Sequence, residues 1–138
     1  MAHKGGRYAG NLLQGHSGSV LTRKFKVTNG VTITKGDFVY FASGLLETTT
    51  VAGKKLVGCA NQTVVGTGSN TCEVIIDPGA LYLIDNDNVG TTFAATHVGT
   101  YFDLIGATGA QLADTSTTTT TGSLVCIEYN PQIDPYKS

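Results

Sequence analysis

Three histidines, three cysteines and two short polar loops are the places where this chain could do chemistry. His3, His16 and His97 lie far apart, and none has a Cys, a second His or a carboxylate at metal-ligand spacing. His97, between strand-like runs, is assigned a structural or solvent-exposed role. Cys59, Cys72 and Cys126 form no CxxC pair, and each sits in an apolar stretch. There a free thiol acts as a small buried hydrophobe rather than as a nucleophile, a disulfide half or a metal ligand. A Ser/His/Asp triad converges only in space, but no G-x-S-x-G elbow is present to seed one. Asp85-Asn86-Asp87-Asn88-Val89-Gly90 has the look of a calcium loop. An EF-hand needs an oxygen ligand at position five and a bidentate Glu at position twelve, where Val89 and Thr96 stand. A polar surface turn is therefore expected, with calcium in another loop geometry the alternative. Gly66-Thr67-Gly68-Ser69-Asn70 lacks the Lys-Ser/Thr of a phosphate loop and the third Gly of a dinucleotide fingerprint, and reads as a mobile hairpin tip. No catalytic residue, metal ligand or cofactor site is expected, and the chain reads as a non-enzyme.

The elements that must carry these residues follow from composition and spacing. The chain has 138 residues and a mass of 14.4 kDa. That length suits one domain able to bury roughly two-thirds of its unfolded surface. Charged residues make up 14% against an average of ~25%, and the net charge is −1. A nucleic-acid binder needs a basic face to displace counterions, so nucleic acid is not an expected partner. No apolar run approaches the ~18 residues of a membrane span, and no membrane association is expected. The N-terminal stretch has no apolar h-region and is not read as a secretory signal. Asn61-Gln62-Thr63 accordingly reads as a chance sequon. Gly occurs 18 times and Thr 21 times, five of them consecutively at 117–121.

Residues 1–19 hold five glycines and only one strongly apolar pair, Leu12-Leu13, and are expected to be a flexible arm. The arm is read either as a free tail or as a segment that orders on a partner. From Val20 onward, apolar runs of four to eight residues alternate with turn residues, the beat of an antiparallel sandwich or barrel. The runs are 20–27, 31–34, 37–42, 45–48, 55–60, 72–76, 80–84, 101–105 and 124–129. Asn29-Gly30 predicts a hairpin between the first two. Asp77-Pro78-Gly79 predicts a turn, with Pro fixing φ and Gly supplying positive φ. A short helix within 107–116 is opposed by Gly109, and the polar run 114–121 is expected to be a solvated loop rather than a strand end. No window of eleven residues shows a 3.6-residue apolar period. The expected fold is all-β: one small antiparallel β-barrel or β-sandwich over residues 20–130, with the arm before it and an extended tail, 131–138, after it.

Gly36-Asp37-Phe38-Val39-Tyr40, then Ser43-Gly44-Leu45-Leu46, then Lys55-Leu56-Val57-Gly58-Cys59-Ala60 resembles the opening of small tailed-phage head-decoration (cement) proteins. In these, a strand carrying G-D-hydrophobic-V leads past a short turn into hydrophobic-V-G-hydrophobic-A. Residues 98–104 and 124–131 are also similar to tailed-phage virion proteins. The resemblance spans roughly residues 30–130. It implies a β-tulip-like protein without enzymatic activity or cofactor. Such a protein sits on the outer surface of an icosahedral virion as a homotrimer, binds the major capsid protein and bridges neighbouring capsid subunits. Shells assembled this way are stabilised by mass action through many weak contacts. Within the arm, Lys4, Arg7, Tyr8, Leu12 and Leu13 are the candidate capsid-binding residues, although none lies in a motif of the family. The alternative is a receptor- or glycan-binding head of a phage fibre. The absence of Trp and the placement of most Tyr and Phe in strands weigh against it. A trimeric nucleotide hydrolase of similar length would need a Gly-rich phosphate motif with Arg, which this chain lacks.

Overall fold

The computed structural model describes residues 5–11, 20–49, 51, 53–87, 94–119 and 124–128. Among these the chain forms twelve strands and one 3-10 turn (Ala95–His97). The strands are β1 (Arg7–Asn11), β2 (Thr22–Lys26), β3 (Thr32–Ile33), β4 (Phe38–Ala42), β5 (Leu45–Glu47) and β6 (Leu56–Ala60). They continue with β7 (Val64–Val65), β8 (Thr71–Ile75), β9 (Ala80–Leu83), β10 (Tyr101–Ile105), β11 (Leu112–Thr119) and β12 (Leu124–Val125). All strand pairs are antiparallel. The fold is all-β, as the residue pattern predicts.

Five strands make the main sheet in the order β2-β8-β6-β4-β5. It curls until its two edges meet at one parallel bridge, Val27 to Leu46, where the Thr28 N–H donates to the Leu46 carbonyl at 3.1 Å. Beyond that bridge a seam stays open, so the sheet does not close as a barrel. Val27, Val31, Ile33, Val39, Leu46, Cys72 and Val74 fill the inside of the curl. Phe38, Tyr40, Val51, Cys59 and Leu104 form a second cluster, on which Leu56, Tyr82, Ile84 and Leu124 pack. Strand β4 sends Val39 to the first cluster and Phe38 and Tyr40 to the second. Over Phe38–Tyr40 both faces of the strand are therefore core, which accounts for the apolar run there, while Phe41 and Ala42 at its far end are exposed. Burying a side chain such as Phe38 stabilises the fold by about 2–3 kcal/mol.

The smaller sheets are β1-β9, β3-β7 and β11-β10-β12. Three expectations are corrected here. Asn29-Gly30 does turn the chain, with Gly30 at φ +81°, but β2 pairs with β8 and β3 with β7, so no hairpin forms. The polar run after Leu112 is not a loop: residues as far as Thr119 are strand β11, paired to β10. As Gly109 predicts, no helix occupies 107–116, and a turn with Gly106 at φ +106° and Gly109 at φ +71° leads directly into β11. Nor is Gly66–Asn70 a hairpin tip, since β7 and β8 belong to different sheets. Asn70 ties this turn down, accepting from the Thr67 N–H at 2.8 Å and donating to the Val65 carbonyl at 2.7 Å.

Two buried polar side chains join the main sheet to the C-terminal half. The Asp37 carboxylate accepts from the Thr34 N–H at 2.9 Å, from the Gly109 N–H at 2.8 Å and from the Thr108 hydroxyl. Gln111 acts as a substitute strand for Phe38. Its Oε1 accepts the Phe38 N–H at 2.7 Å, while its Nε2 donates to the Phe38 carbonyl at 3.2 Å and to the Thr48 hydroxyl at 2.8 Å. Both side chains are fully buried, and buried polar groups persist only when they are hydrogen-bonded in this way.

Candidate functional site

The residues singled out for partner binding begin where the chain passes over the Gly36-Asp37 turn. Gly5 and Gly6 are buried. The Gly5 N–H donates to the Gln111 carbonyl at 2.9 Å and the Gly6 N–H to the Gly36 carbonyl at 2.6 Å. A Cβ on Gly6 would lie 2.8 Å from the Phe38 ring, so only glycine lets the main chain pass this close. Residues 7–11 then become β1, with Arg7 opposite Leu83 and Tyr8 opposite Tyr82 on β9.

This corrects the picture of a wholly flexible arm. Residues 5–11 are fixed to their own chain, and Lys4, Leu12 and Leu13 lie outside the described residues, as does the tail. The Arg7 guanidinium pairs with the Asp85 carboxylate at 2.9 Å. Asp85 and Asn86 are buried, so the first part of the segment expected to be a polar surface turn is a structural anchor. Tyr8 stacks edge-on against Tyr82, which in turn packs on Phe38 with ring centres 5.1 Å apart. Tyr8 itself remains 44% exposed. Of the five predicted contact residues, the structure thus brings Arg7 and Tyr8 together on one outer strand. Sequence spacing did not reveal β1 because its stability comes from pairing with β9 and from an ion pair 78 residues away, not from apolar alternation of its own.

Beside β1 lies a cleft of about 710 Å³, with Arg7, Phe38, Leu56, Tyr82, Phe102 and Leu124 among its lining residues. Its walls are mainly apolar and aromatic, and its charged lining is the Arg7–Asp85 pair together with Asp77 and Glu128. Such a wall suits an apolar group, with a polar group directed at the guanidinium. Among the described residues, no group of His, Cys, Asp or Glu is arranged to hold a metal ion, and no helix is long and apolar enough to cross a membrane. The Nδ1 of His97 accepts the Ala94 N–H at 2.9 Å within the 3-10 turn, a structural use of the ring.

All three cysteines are buried and free. Burial pushes the Cys59 thiol up to about 12, with the Asp37 carboxylate adding to the effect, and pushes Cys72 up to about 11. Burial also raises Cys126, which lines the cleft. All three are therefore thiols, not thiolates, at neutral pH. Native protein at about pH 8 is expected to leave Cys59 and Cys72 unmodified by a thiol reagent, whereas urea exposes both. Because the unfolded thiols ionise near the ordinary value of 9.0 and the folded ones do not, this contribution to stability is complete below pH 9. It is lost as pH rises toward 12. Denaturation midpoints measured across that window check the sign; a flat profile would contradict the burial.

Compared with family models, curated proteins and solved structures, the chain matches none.

Proposed function

We propose that this protein is a structural component of a tailed-phage virion. In this reading it binds the outer surface of the icosahedral capsid as a homotrimer and stabilises the shell by bridging neighbouring subunits of the major capsid protein. The observation that carries the reading is β1. It forms a two-stranded ribbon with β9, so its outer edge has no neighbouring strand among the described residues, and Tyr8 stands exposed on it. An open strand edge recognises a partner through main-chain hydrogen bonds, the mode a protein without site chemistry has available.

The residues that carry the resemblance support it as a unit. Gly36-Asp37 makes the turn held by the buried carboxylate, β4 and β5 pair directly, and β6 lies against β4. Gly58 and Ala60 stand at positions where little side-chain room exists. The motif thus makes three adjacent strands of the main sheet, β6, β4 and the edge strand β5, and in this reading its role is to build the sheet that carries the contact surface.

Copy number in gradient-purified virions, measured by quantitative mass spectrometry against the major capsid protein, tests the reading. A ratio near one to one, or a simple fraction of it, is expected. A handful of copies per particle would replace the reading with a receptor- or glycan-binding fibre head, and absence from the particle would overturn both. Because residues 5–11 belong to the fold, the contact surface is tested with Tyr8→Ala rather than by deleting the arm. Tyr8→Ala is expected to fold normally and to occupy purified heads at least several-fold less well than the native protein.

A further inference from the structure

The cleft beside β1 shows apolar side chains on several of its walls. Leu83 on β9, Tyr101 on β10, Val125 on β12 and Ile127 just beyond it all line it and are between 39% and 47% exposed. An apolar surface gathered in one concavity marks a place that something covers. The cleft, about 710 Å³, is of a size that receives a few side chains or one small ligand. What covers it follows from where the chain runs. Glu128, the last residue described, lies on the cleft wall with Cys126 and Ile127. Ten residues follow it, Tyr129-Asn130-Pro131-Gln132-Ile133-Asp134-Pro135-Tyr136-Lys137-Ser138. Fully extended, ten residues reach roughly 33 Å.

We propose that residues 129–138 fold back as a strap over the cleft of their own chain, with Ile133 and Tyr136 seated in it. The segment has the composition for this. Tyr129, Ile133 and Tyr136 supply apolar surface, and its side-chain charges, Asp134 and Lys137, cancel. A Tyr ring can lie on an apolar wall while its hydroxyl meets water. Pro131 and Pro135 fix φ, which reduces the chain freedom lost when the segment is laid down. Lacking an N–H, they also suit a strap that crosses side chains rather than a further strand inside a sheet. The other terminus is a poorer occupant. Residues 1–4 depart from Gly5, which is held at the Gln111 carbonyl rather than on the cleft wall, and Met1 is their one large apolar residue. The inference goes beyond the virion reading and does not depend on it.

Two altered chains test it: one ending at Glu128, and the full chain carrying Ile133→Asp and Tyr136→Asp. Both are expected to keep the native circular dichroism and to bind several-fold more of a hydrophobic dye than the native full chain. Amide resonances of Leu83 and Ile127 are expected to shift in both, which locates the change at the cleft. A synthetic peptide of residues 129–138 is expected to bind the shortened chain and suppress its dye signal. It is expected to leave the native chain untouched, because that cleft is filled. If the shortened chain does not fold, the double variant, which keeps every main-chain atom, decides by dye binding and resonances. Equal dye binding by native and altered chains, shifts confined to residues beyond Glu128, or equal peptide binding by the native chain overturns the strap. A dye signal per native molecule that rises on dilution overturns it too, since the strap would then come from a second copy.

Discussion

Gly58→Ala is expected to destabilise the protein by about 3 kcal/mol or more, enough to leave a domain of this size marginally folded. Gly58 sits on β6, where the strand crosses β8, and a Cβ there would lie 1.9 Å from the Ile75 carbonyl oxygen and 3.0 Å from a Val74 methyl. The obstructing atom is main chain in the middle of the sheet, so relief requires β6 and β8 to part and to disturb the neighbouring pairing of Cys59 with Ile75. The contrast is Gly30→Ala. Gly30 has positive φ but open space around its missing side chain, and its cost is confined to backbone strain of about 1 kcal/mol. Urea denaturation of both variants decides the matter. Equal midpoints would mean that the close approach of β6 to β8 does not exist.

The second large effect is expected at Asp37. Asp37→Ala removes the acceptor for the Thr34 and Gly109 amides and the Thr108 hydroxyl together, at an expected cost of about 3–5 kcal/mol. Asp37→Asn keeps one acceptor oxygen but turns an NH2 group toward a donor, and is expected to fall between native and alanine. The informative readout is amide hydrogen exchange. Loss of protection should appear at Gly109, 72 residues away in sequence, as well as at Thr34. Protection lost at Thr34 alone would show that the carboxylate serves only its own turn.

Much of the sheet was legible because β4, β8 and β10 are runs rich in β-branched and aromatic residues, and β6 is a short apolar run, with turn residues near their ends. What was not legible depended on partners distant in sequence. β1 carries Arg-Tyr-Ala-Gly-Asn, a string with no apolar period, and is held by β9. β11 runs Leu-Ala-Asp-Thr-Ser-Thr-Thr-Thr; its threonines favour extended backbone, but polarity alone could not separate a strand from a solvated loop. Asn29-Gly30 reported the turn correctly and the pairing wrongly, since a dipeptide fixes local φ and ψ but not which sheet each flank joins. For the candidate site, Arg7 and Tyr8 could be singled out by residue type within a Gly-rich stretch, whereas the pairing of Arg7 with a buried Asp85 was hidden within what looked like a string of solvated polar residues.

The lock that Gly5 and Gly6 make over the Gly36 turn has a consequence for the order in which the molecule assembles. Its donors and stacking partners come from opposite ends of the sequence: Gly5 bonds to Gln111, Arg7 to Asp85, and Phe38, on which Gly6 rests, is itself held by Gln111. None of these contacts repays the loss of chain freedom until β9 and the 106–111 turn are in place. Closure of such long loops is what slows folding in all-β proteins. Among the described residues, the stretch synthesised first is therefore among the last to be fixed, and until that moment the Phe38 ring and the cleft beside it stand uncovered along one side.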